Sequence, residues 1–361
     1  MKKSKLLRQI PEIGEEQVNL LEKLSNAVSV SGEESEVRAI VMEELQDYAD
    51  QIKTDALGNV LVTRKAKVNH PLRVMIAAHM DEVGFMLVDD EGEGLFRFEV
   101  VGGVDNRQLV GKPVLVGKDK QPGVIGAKPI HLTTAEERKK PIPLENLRID
   151  VGPGNSSKCR VGDRATFATR FETWGPSLVG KALDDRLGVA TLIELVKHAP
   201  DNIELLAAFT VQEENGLRGA RVAAYSMQPD MAFVLDSTPA NDLPVWDDEE
   251  NARYNVRLNH GPAIYRMDAY TLSDPRLIDY LAKMGDEYDI PYQYRQPGKG
   301  GTDAGSIHKQ RGGIPSVSIS VPGRYAHTAV LIARKEDWKN TLALMYVALK
   351  NLSSDLLLTE R

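Results

Sequence analysis

Apolar residues recur along this chain with two different periods, and the alternation between those periods predicts its architecture. Val18, Leu21, Leu24 and Ala27 have helical spacing, as do Val37, Ile40, Val41 and Leu45. Between these stretches, Ser31 and Glu34 have the spacing of a capping box. "GNVLVTR" reads as a strand, and residues 72–78 read as a buried strand that stops at His79. Beyond Leu178 the alternation resumes. Val189, Leu192, Ile193 and Val196 predict a helix, while "IELLAAFTV" and "MAFVLD" predict buried strands. "PRLIDYLAKMGDEY" predicts a helix, "IPSVSISV" a strand and "DWKNTLALMYVALKNL" a closing helix. Strands alternating with helices predict an α/β fold, an α/β/α sandwich on a mostly parallel mixed sheet.

One region breaks the pattern. From residue 83 to residue 175 the chain is rich in Gly, Pro and Val, with short runs such as "GLFRFEVVGG", "KPVLVGK" and "DRATFAT". Helical stripes are missing there. We read a β-rich, barrel-like domain inserted at 83–175, splitting the α/β domain into 1–82 and 176–361.

A length of 361 residues suits one large domain with such an insert. The formal net charge of −7 weighs against nucleic acid as a partner, because phosphate contacts need a basic face. Cys159 is the single cysteine, so no intrachain disulfide can form; this fits a reducing, cytoplasmic compartment. The first residues, "MKKSKLLRQIPEIGEE", lack the apolar core of a signal peptide. No stretch approaches the ~20 apolar residues of a membrane span, so no membrane partner is expected.

The unusual polar residues fall at particular places on this map. His79 and Asp81 follow the strand at 72–78. Asp184 and Asp185, in "GKALDDRLG", open the helix that contains Val189. Glu213 and Glu214 stand side by side after the apolar run of "FTVQEENGLRGA". Asp236 ends "MAFVLD", and His327 follows "IPSVSISV". In open α/β sheets, ligands bind at the carboxyl ends of the strands. Singly, each residue has an ordinary explanation. An Asp at a helix start usually caps it, a Glu suits the first turn of a helix, and a lone His is usually a satisfied core residue. Jointly they form a set of imidazoles and carboxylates suited to Zn²⁺, Co²⁺ or Mn²⁺. Asp81 stands where a carboxylate could orient the imidazole of His79.

In this order, "AAHMDEVGFM", "GKALDDRLG", "QEENGLRGA", "VLDST", "GKGGTDAG" and "RYAHT" resemble the cytosolic dinuclear-metal aminopeptidases of the glutamyl-aminopeptidase and tetrahedral (TET) type. The resemblance covers nearly the whole chain, and it implies a zinc-peptidase-like fold. It also implies two divalent metal ions per subunit, Zn or Co. His79 and Asp236 would bind one ion, Glu214 and His327 the other, and Asp184 would bridge them. Glu213 would be the general base acting on a two-metal-activated water, and Asp81 would orient His79. Asp185 would remain a helix cap. The expected activity is removal of N-terminal residues from peptides with a free N-terminus. The insert would be a dimerisation domain, with dimers assembling into a tetrahedral dodecamer. The last histidine is followed by Thr328, where the family more usually has Ser; the hydroxyl is kept.

Other readings stay open at this point. A carboxylate-pair glycoside hydrolase has no need of two histidines, and it usually lines its cleft with aromatics, which form only 6% of this chain. A scaffold without a site would lack at least one of the five ligand positions. A related metal-dependent carboxypeptidase or deacylase would share the chemistry and differ in its pocket. "GKGGTDAG" has glycines but not the spacing of a phosphate loop. It reads as a loop beside the site, with Asp303 either a substrate contact or part of a plain turn.

Overall fold

The computed structural model describes residues 2–243, 256–295, 297–298 and 300–360. Lys299, in the glycine-rich motif, lies outside the described residues. Three helices open the chain: α1 (Lys2–Leu7), α2 (Glu15–Asn26) and α3 (Ser35–Leu45). Strands β1 (Gln51–Thr54), β2 (Val60–Arg64) and β3 (Leu72–His79) follow. Then come six short strands: β4 (Gly84–Asp90), β5 (Leu95–Val101), β6 (Pro113–Val116), β7 (Gln121–Gly126), β8 (Arg148–Asp150) and β9 (Arg164–Phe167). The hairpin β10 (Glu172–Trp174) and β11 (Ser177–Gly180) leads to α4 (Leu183–Lys197), β12 (Ile203–Thr210), α5 (Arg218–Met227) and β13 (Met231–Pro239). The last part holds β14 (Ala263–Tyr265), α6 (Pro275–Tyr288), β15 (Gln293–Arg295), α7 (Ala304–Ile307), β16 (Ser316–Arg324), β17 (Leu331–Arg334) and α8 (Lys335–Asn351).

The large sheet runs β1-β2-β12-β3-β13-β16-β17-β11-β10, with β14 and β15 attached beside β16. Its four middle strands, β12, β3, β13 and β16, are parallel. Its outer neighbours pair antiparallel. The middle strands are apolar on both faces because both faces are covered. Val74, Ile76 and Ala78 of β3 join the core that includes residues of α2, α3, α4, α6 and α8, whereas Met75 and Ala77 join the core under α5 and α7. The α/β/α sandwich with a mostly parallel sheet is therefore present. Among the described residues, no helix is long and apolar enough to cross a membrane.

The helix predicted at 275–288 is α6, started by the Asp274 side chain accepting from the Arg276 N–H, with Pro275 next. The capping box at Ser31 and Glu34 is not formed. The Ser31 hydroxyl donates to Asp81 Oδ2 at 2.5 Å, and Glu34 Oε1 accepts from the Gly32 N–H at 2.6 Å. Both side chains are drawn away by partners that the local spacing does not show.

Strands β4 to β9 close into a barrel in the order β4-β5-β8-β7-β6-β9, antiparallel throughout. Phe85 sits at its centre, edge-on to Phe98 and Phe167 at ring separations of 5.2 and 5.3 Å. The closed part ends at Phe167. Strand β10 pairs with β11 and so extends the large sheet, although its texture resembles the barrel strands.

A buried ion cluster fastens the barrel to the sheet where the chain leaves β3. Glu82 accepts from Lys181 Nζ at 2.8 and 2.9 Å, from the Ser29 N–H and from the Thr166 hydroxyl of β9. Arg186 lies 3.5 Å from the same carboxylate and donates to the carbonyls of Met80 and Asp81. All three charged side chains are almost wholly buried. Removing one member of a buried pair costs about 3–5 kcal/mol, because the partner is stranded. Glu82→Ala strands two cations. Its unfolding free energy, taken from denaturant titration followed by circular dichroism, should fall by an amount in that range; an unchanged value would show that the cluster does not hold the two parts together.

Candidate metal centre

The carboxyl ends of β3, β12 and β13 meet at one edge of the sheet. β12 and β13 flank β3, so the chain reverses its direction of travel across the sheet there, and a crevice opens at such a point. His79 is the last residue of β3 and is 2% exposed. Its Nδ1 lies 3.1 Å from the Asp81 backbone carbonyl and 3.5 Å from the Asp81 carboxylate. The carbonyl is the nearer acceptor because the carboxylate is otherwise engaged. Asp81 Oδ1 accepts from the Glu213 N–H at 2.9 Å, and Oδ2 accepts from the Glu214 N–H at 3.1 Å as well as from Ser31.

Glu213 and Glu214 lie in a turn before α5, not in its first helical turn. The turn is closed by the N–H groups of Gly216 and Leu217, which both donate to the Glu213 carbonyl. Gly216 has φ of +106°, a value that suits glycine. Asn59 staples the two ends of the bend: its Oδ1 accepts from the Val211 N–H and its Nδ2 donates to the Gly219 carbonyl. A Cβ at Gly219 would collide with Asn59 and with the Val211 backbone. Sequence reasoning missed Asn59, which carries no periodic signal.

Asp184 presents its two oxygens to different histidines. Oδ1 is 3.4 Å from His79 Nε2, and Oδ2 is 3.7 Å from His327 Nε2. His327 Nε2 is also 3.8 Å from Glu214 Oε2, and His79 Nε2 is 3.9 Å from Asp236 Oδ1. His327 Nδ1 lies 2.8 Å from the Gly103 carbonyl, which comes from the barrel. This "VGGV" contribution was not anticipated; its only sequence trace is the glycine pair. Strand β13 continues to Pro239, so Asp236 is not its last residue. Its pairing with β3 stops at Val234, however, and Asp236 opens onto the crevice. Asp185 accepts from the Gly188 N–H, as a helix-capping residue does.

These groups crowd negative charge at the floor of one cleft. Burial pushes the Glu213 carboxyl well above its ordinary range; His79 opposes the rise and Glu214 adds to it. Burial likewise raises Glu214 to about 7, and raises Asp236 well above normal with help from Asp184. Asp184 goes the other way. Burial works against its charge, but the nearby His79 and His327 hold it at about 2. Burial disfavours the His79 imidazolium, yet Asp184 and Asp81 raise its pKa well above the usual value. His327 is raised chiefly by Glu214.

A cation fits this arrangement. Asp184 Oδ1 is buried without a hydrogen-bond partner among the described residues. Ligand atoms of His79, Asp184 and Glu214 all lie within 4.8 Å of one another. Imidazole nitrogen and carboxylate oxygen are the donors that borderline divalent ions prefer.

The cleft holding these groups has a volume of about 760 Å³. His79, Asp184, Glu213, Glu214, Asp236 and His327 all line it. Asp81 does not; it is fully buried behind them. Asp303 does not line it either. It is 1% exposed, accepts from the Thr210 hydroxyl at 2.5 Å, and is raised to about 6, mainly by burial. A larger hollow of about 1080 Å³ lies on the barrel, but no histidine lines it.

Fold and site together define a class: an α/β/α hydrolase with a barrel insert, whose sheet edge carries a group able to hold a metal ion. The chain belongs to the M42 glutamyl aminopeptidase family, whose profile matches residues 58–344. It is similar to a putative aminopeptidase of Acetivibrio thermocellus, 37% identical over 93% of this chain and 99% of the relative. The lysyl aminopeptidase of Pyrococcus furiosus is 30% identical over 92% and 96% of the two chains. The glutamyl aminopeptidase of Lactococcus lactis is 30% identical over 92% and 95%. Among solved structures, a TET aminopeptidase from a marine-sediment thaumarchaeote superposes with a TM-score of 0.89 at 32% identity, covering 95% and 98% of the two chains. The TET1 peptidase of Pyrococcus horikoshii, described as assembling into a tetrahedron or a large octahedral shell, gives 0.82 at 31% identity over 93% and 100%. A Thermotoga maritima protein named an endoglucanase gives 0.75 at 30% identity over 91% and 96%. The protein is thus an aminopeptidase by family.

The Asp81 contacts generate a prediction. Asp81→Ala leaves the N–H groups of Glu213 and Glu214 without an acceptor, and each buried loss costs about 1–3 kcal/mol. The variant should bind divalent metal more weakly than the wild type in equilibrium dialysis with elemental analysis. Unaltered metal affinity would show that the bend keeps its shape without Asp81.

Proposed function

We propose that the protein removes N-terminal residues from peptides with a free N-terminus, using two divalent ions, Zn²⁺ or Co²⁺, and Glu213 as general base. The observation that carries this reading is the placement of Asp184, whose two oxygens face two different histidines. His79 and Asp236 would hold one ion, Glu214 and His327 the other, and Asp184 would serve both. When bound, such ions acidify a water and polarise the scissile carbonyl. Glu213 accepts the proton of the attacking water and returns it to the departing amine nitrogen. Asp81 fixes the backbone of Glu213 and Glu214 and, through its carbonyl, the ring of His79.

We also propose that residues 83–175 form a dimerisation domain, and that dimers build a tetrahedral dodecamer. Ile130, Leu132 and Val161 of this region are 71%, 60% and 54% exposed, apolar surface that such an interface would cover. The shell-forming TET1 relative supports the larger assembly. A cytoplasmic location is supported by the single cysteine, Cys159, which is buried and unpaired. Light scattering at micromolar concentration should find a large homo-oligomer; monomer alone would overturn the assembly.

A glycosidase reading draws on the endoglucanase name of one neighbour. It leaves two imidazoles beside the carboxylates without a task. Treatment with a chelator should abolish peptide hydrolysis, and Co²⁺ or Zn²⁺ should restore it. Activity that survives chelation, or sugar hydrolysis that ignores it, would sink the metallopeptidase reading.

The two adjacent glutamates should fail differently. Glu213→Gln keeps the shape but cannot take a proton. Its metal content should survive while kcat falls by about 10²–10⁴, the usual worth of a general base, or about 3–5 kcal/mol of barrier. Glu214→Gln weakens a charged ligand, so metal should be lost and activity should partly return at high metal concentration. Mass-spectrometric metal analysis beside rate measurement decides between them. Metal lost from the 213 variant and retained by the 214 variant would reverse the two roles.

A further inference from the structure

The run "GKGGTDAG" contributes Gly300, Gly301 and Gly305 to the wall of the cleft, while its aspartate stays behind that wall. Asp303 is 1% exposed and precedes α7, whose first turn its side chain does not cap. Its Oδ2 instead accepts from the Thr210 hydroxyl. Its Oδ1 is buried without a hydrogen-bond partner among the described residues. A buried carboxylate with so few donors is costly, and a plain turn has no need of one.

Thr210 stands at a junction. It ends β12, lies opposite His79 in the parallel ladder, and takes the Met80 N–H on its carbonyl at 2.7 Å. Glu213 follows three residues later. Burial raises the Glu213 carboxyl most, and Asp303 is among the charges that add to the rise, so the two carboxyls lie within electrostatic reach. The wall itself has little packing of its own. Gly300 and Gly301 have no side chains to seat it, so its place depends on what holds its backbone. The Gly300 carbonyl accepts from the Ala269 N–H at 2.9 Å, and the Thr302 hydroxyl meets the Ser318 hydroxyl of β16 at 2.7 Å. Asp303 binds Thr210, and of these three hydrogen bonds only this one reaches the strand that leads to Glu213. Just beyond, a Cβ at Gly305 would come within 3.0 Å of Leu217 Cδ1, so the wall packs close to the bend that carries Glu213.

We propose that Asp303 is a positioning residue: through Thr210 it holds the glycine wall of the cleft at a fixed place against the bend that carries Glu213. The inference rests on the aminopeptidase reading, because the wall matters only as part of a substrate cleft. Glu213 itself does not depend on this hold. Its bend keeps Asp81 and Asn59 as anchors when Asp303 is gone. What loosens is the wall, which loses one of its hydrogen bonds. Losing Asp303 should therefore weaken substrate binding and leave the chemical step and the metal ligands alone. An interaction felt equally by bound substrate and transition state shows in KM and not in kcat.

The experiment uses the metal-loaded full chain and the p-nitroanilides of leucine, glutamate and lysine. kcat, KM and metal content are measured for each variant. Asp303→Ala should raise KM about tenfold for every anilide the wild type cleaves, in keeping with a lost hydrogen bond to a charged group, while kcat changes by less than about threefold. Its metal content should match the wild type. The Thr210 hydroxyl keeps the Ala78 carbonyl, 3.2 Å away, as a second acceptor, so this variant strands no donor and should fold. Thr210→Val should raise KM by the same factor, and the double variant no further, because the two side chains make one interaction. Asp303→Asn keeps an acceptor and Thr210→Ser keeps the donor, so each should hold KM within about threefold of the wild type. A KM that Asp303→Ala leaves unchanged, a loss confined to kcat or to metal content, or single effects that add in the double variant would overturn the proposal while the aminopeptidase reading stands. If the wild type cleaves no anilide, both fall together.

Discussion

Several carboxylates crowded into one cleft are the constraint on which the rest of this structure depends. Asp184, Glu213, Glu214 and Asp236 line one cleft, with Asp81 and Asp303 buried behind it. Such a group is stable only when each charge is matched, shared with a proton or held by hydrogen bonds. Asp81 is held by three donors, and Asp303 by Thr210. Asp184 is matched by two imidazoles. Glu213, Glu214 and Asp236 are left with raised pKa values, which is how unmatched buried carboxyls respond. The arrangement is under-compensated by the protein alone, and that deficit is what a cation would fill.

The barrel is tied to this centre at two places. Glu82, three residues beyond His79, binds Lys181, Ser29 and Thr166, so the first turn out of the sheet is locked to both domains. At the far end of β5, Gly102 packs against Glu214 and the Gly103 carbonyl meets His327 Nδ1. A ring nitrogen held by a carbonyl fixes which nitrogen is left to face the cleft. The insert thereby orients a residue 224 positions away in the chain. A partner pressed against the barrel would act on a body that already touches the chemistry.

The central strands and long helices were legible because they are periodic or uniformly apolar. β3, β12, α6 and α8 lie within a few residues of where the pattern put them. Short edge strands were not. β10 has 3 residues, all exposed, and its partner is set by the sheet rather than by its own composition. The candidate residues stood out as a set near strand ends and one helix start, and the cleft brings six of them together. Their supports were not, because hydrogen bonds made across tens of residues leave no local spacing. Ser31 looked like a helix cap and serves Asp81 instead. Asn59 fell within a run read only as a strand, and it staples a bend more than 150 residues on. Asp303 stood in a loop that suggested substrate, yet it is buried under Thr210.

How two neighbouring glutamates come to point apart is a matter of backbone, not of side-chain chemistry. A strand would send them to opposite faces, and a helix would send them about 100° apart around its axis. The chain does neither at this point. Gln212 adopts a left-handed φ of 55°, as does Leu217 at 57°, so the bend is entered and left through conformations outside strand and right-handed helix. Both states are sparsely populated by residues with a Cβ, and they persist only where the surroundings over-determine them. Here the surroundings are Asp81, which takes one N–H from each glutamate, and Asn59, which ties Val211 to Gly219. With both N–H groups committed to one carboxylate, the two side chains must diverge from it. Glu214 reaches His327, and Glu213 is left beside His79 with no ligand partner of its own. A carboxylate placed this way is the one to which the proposed proton transfer is assigned.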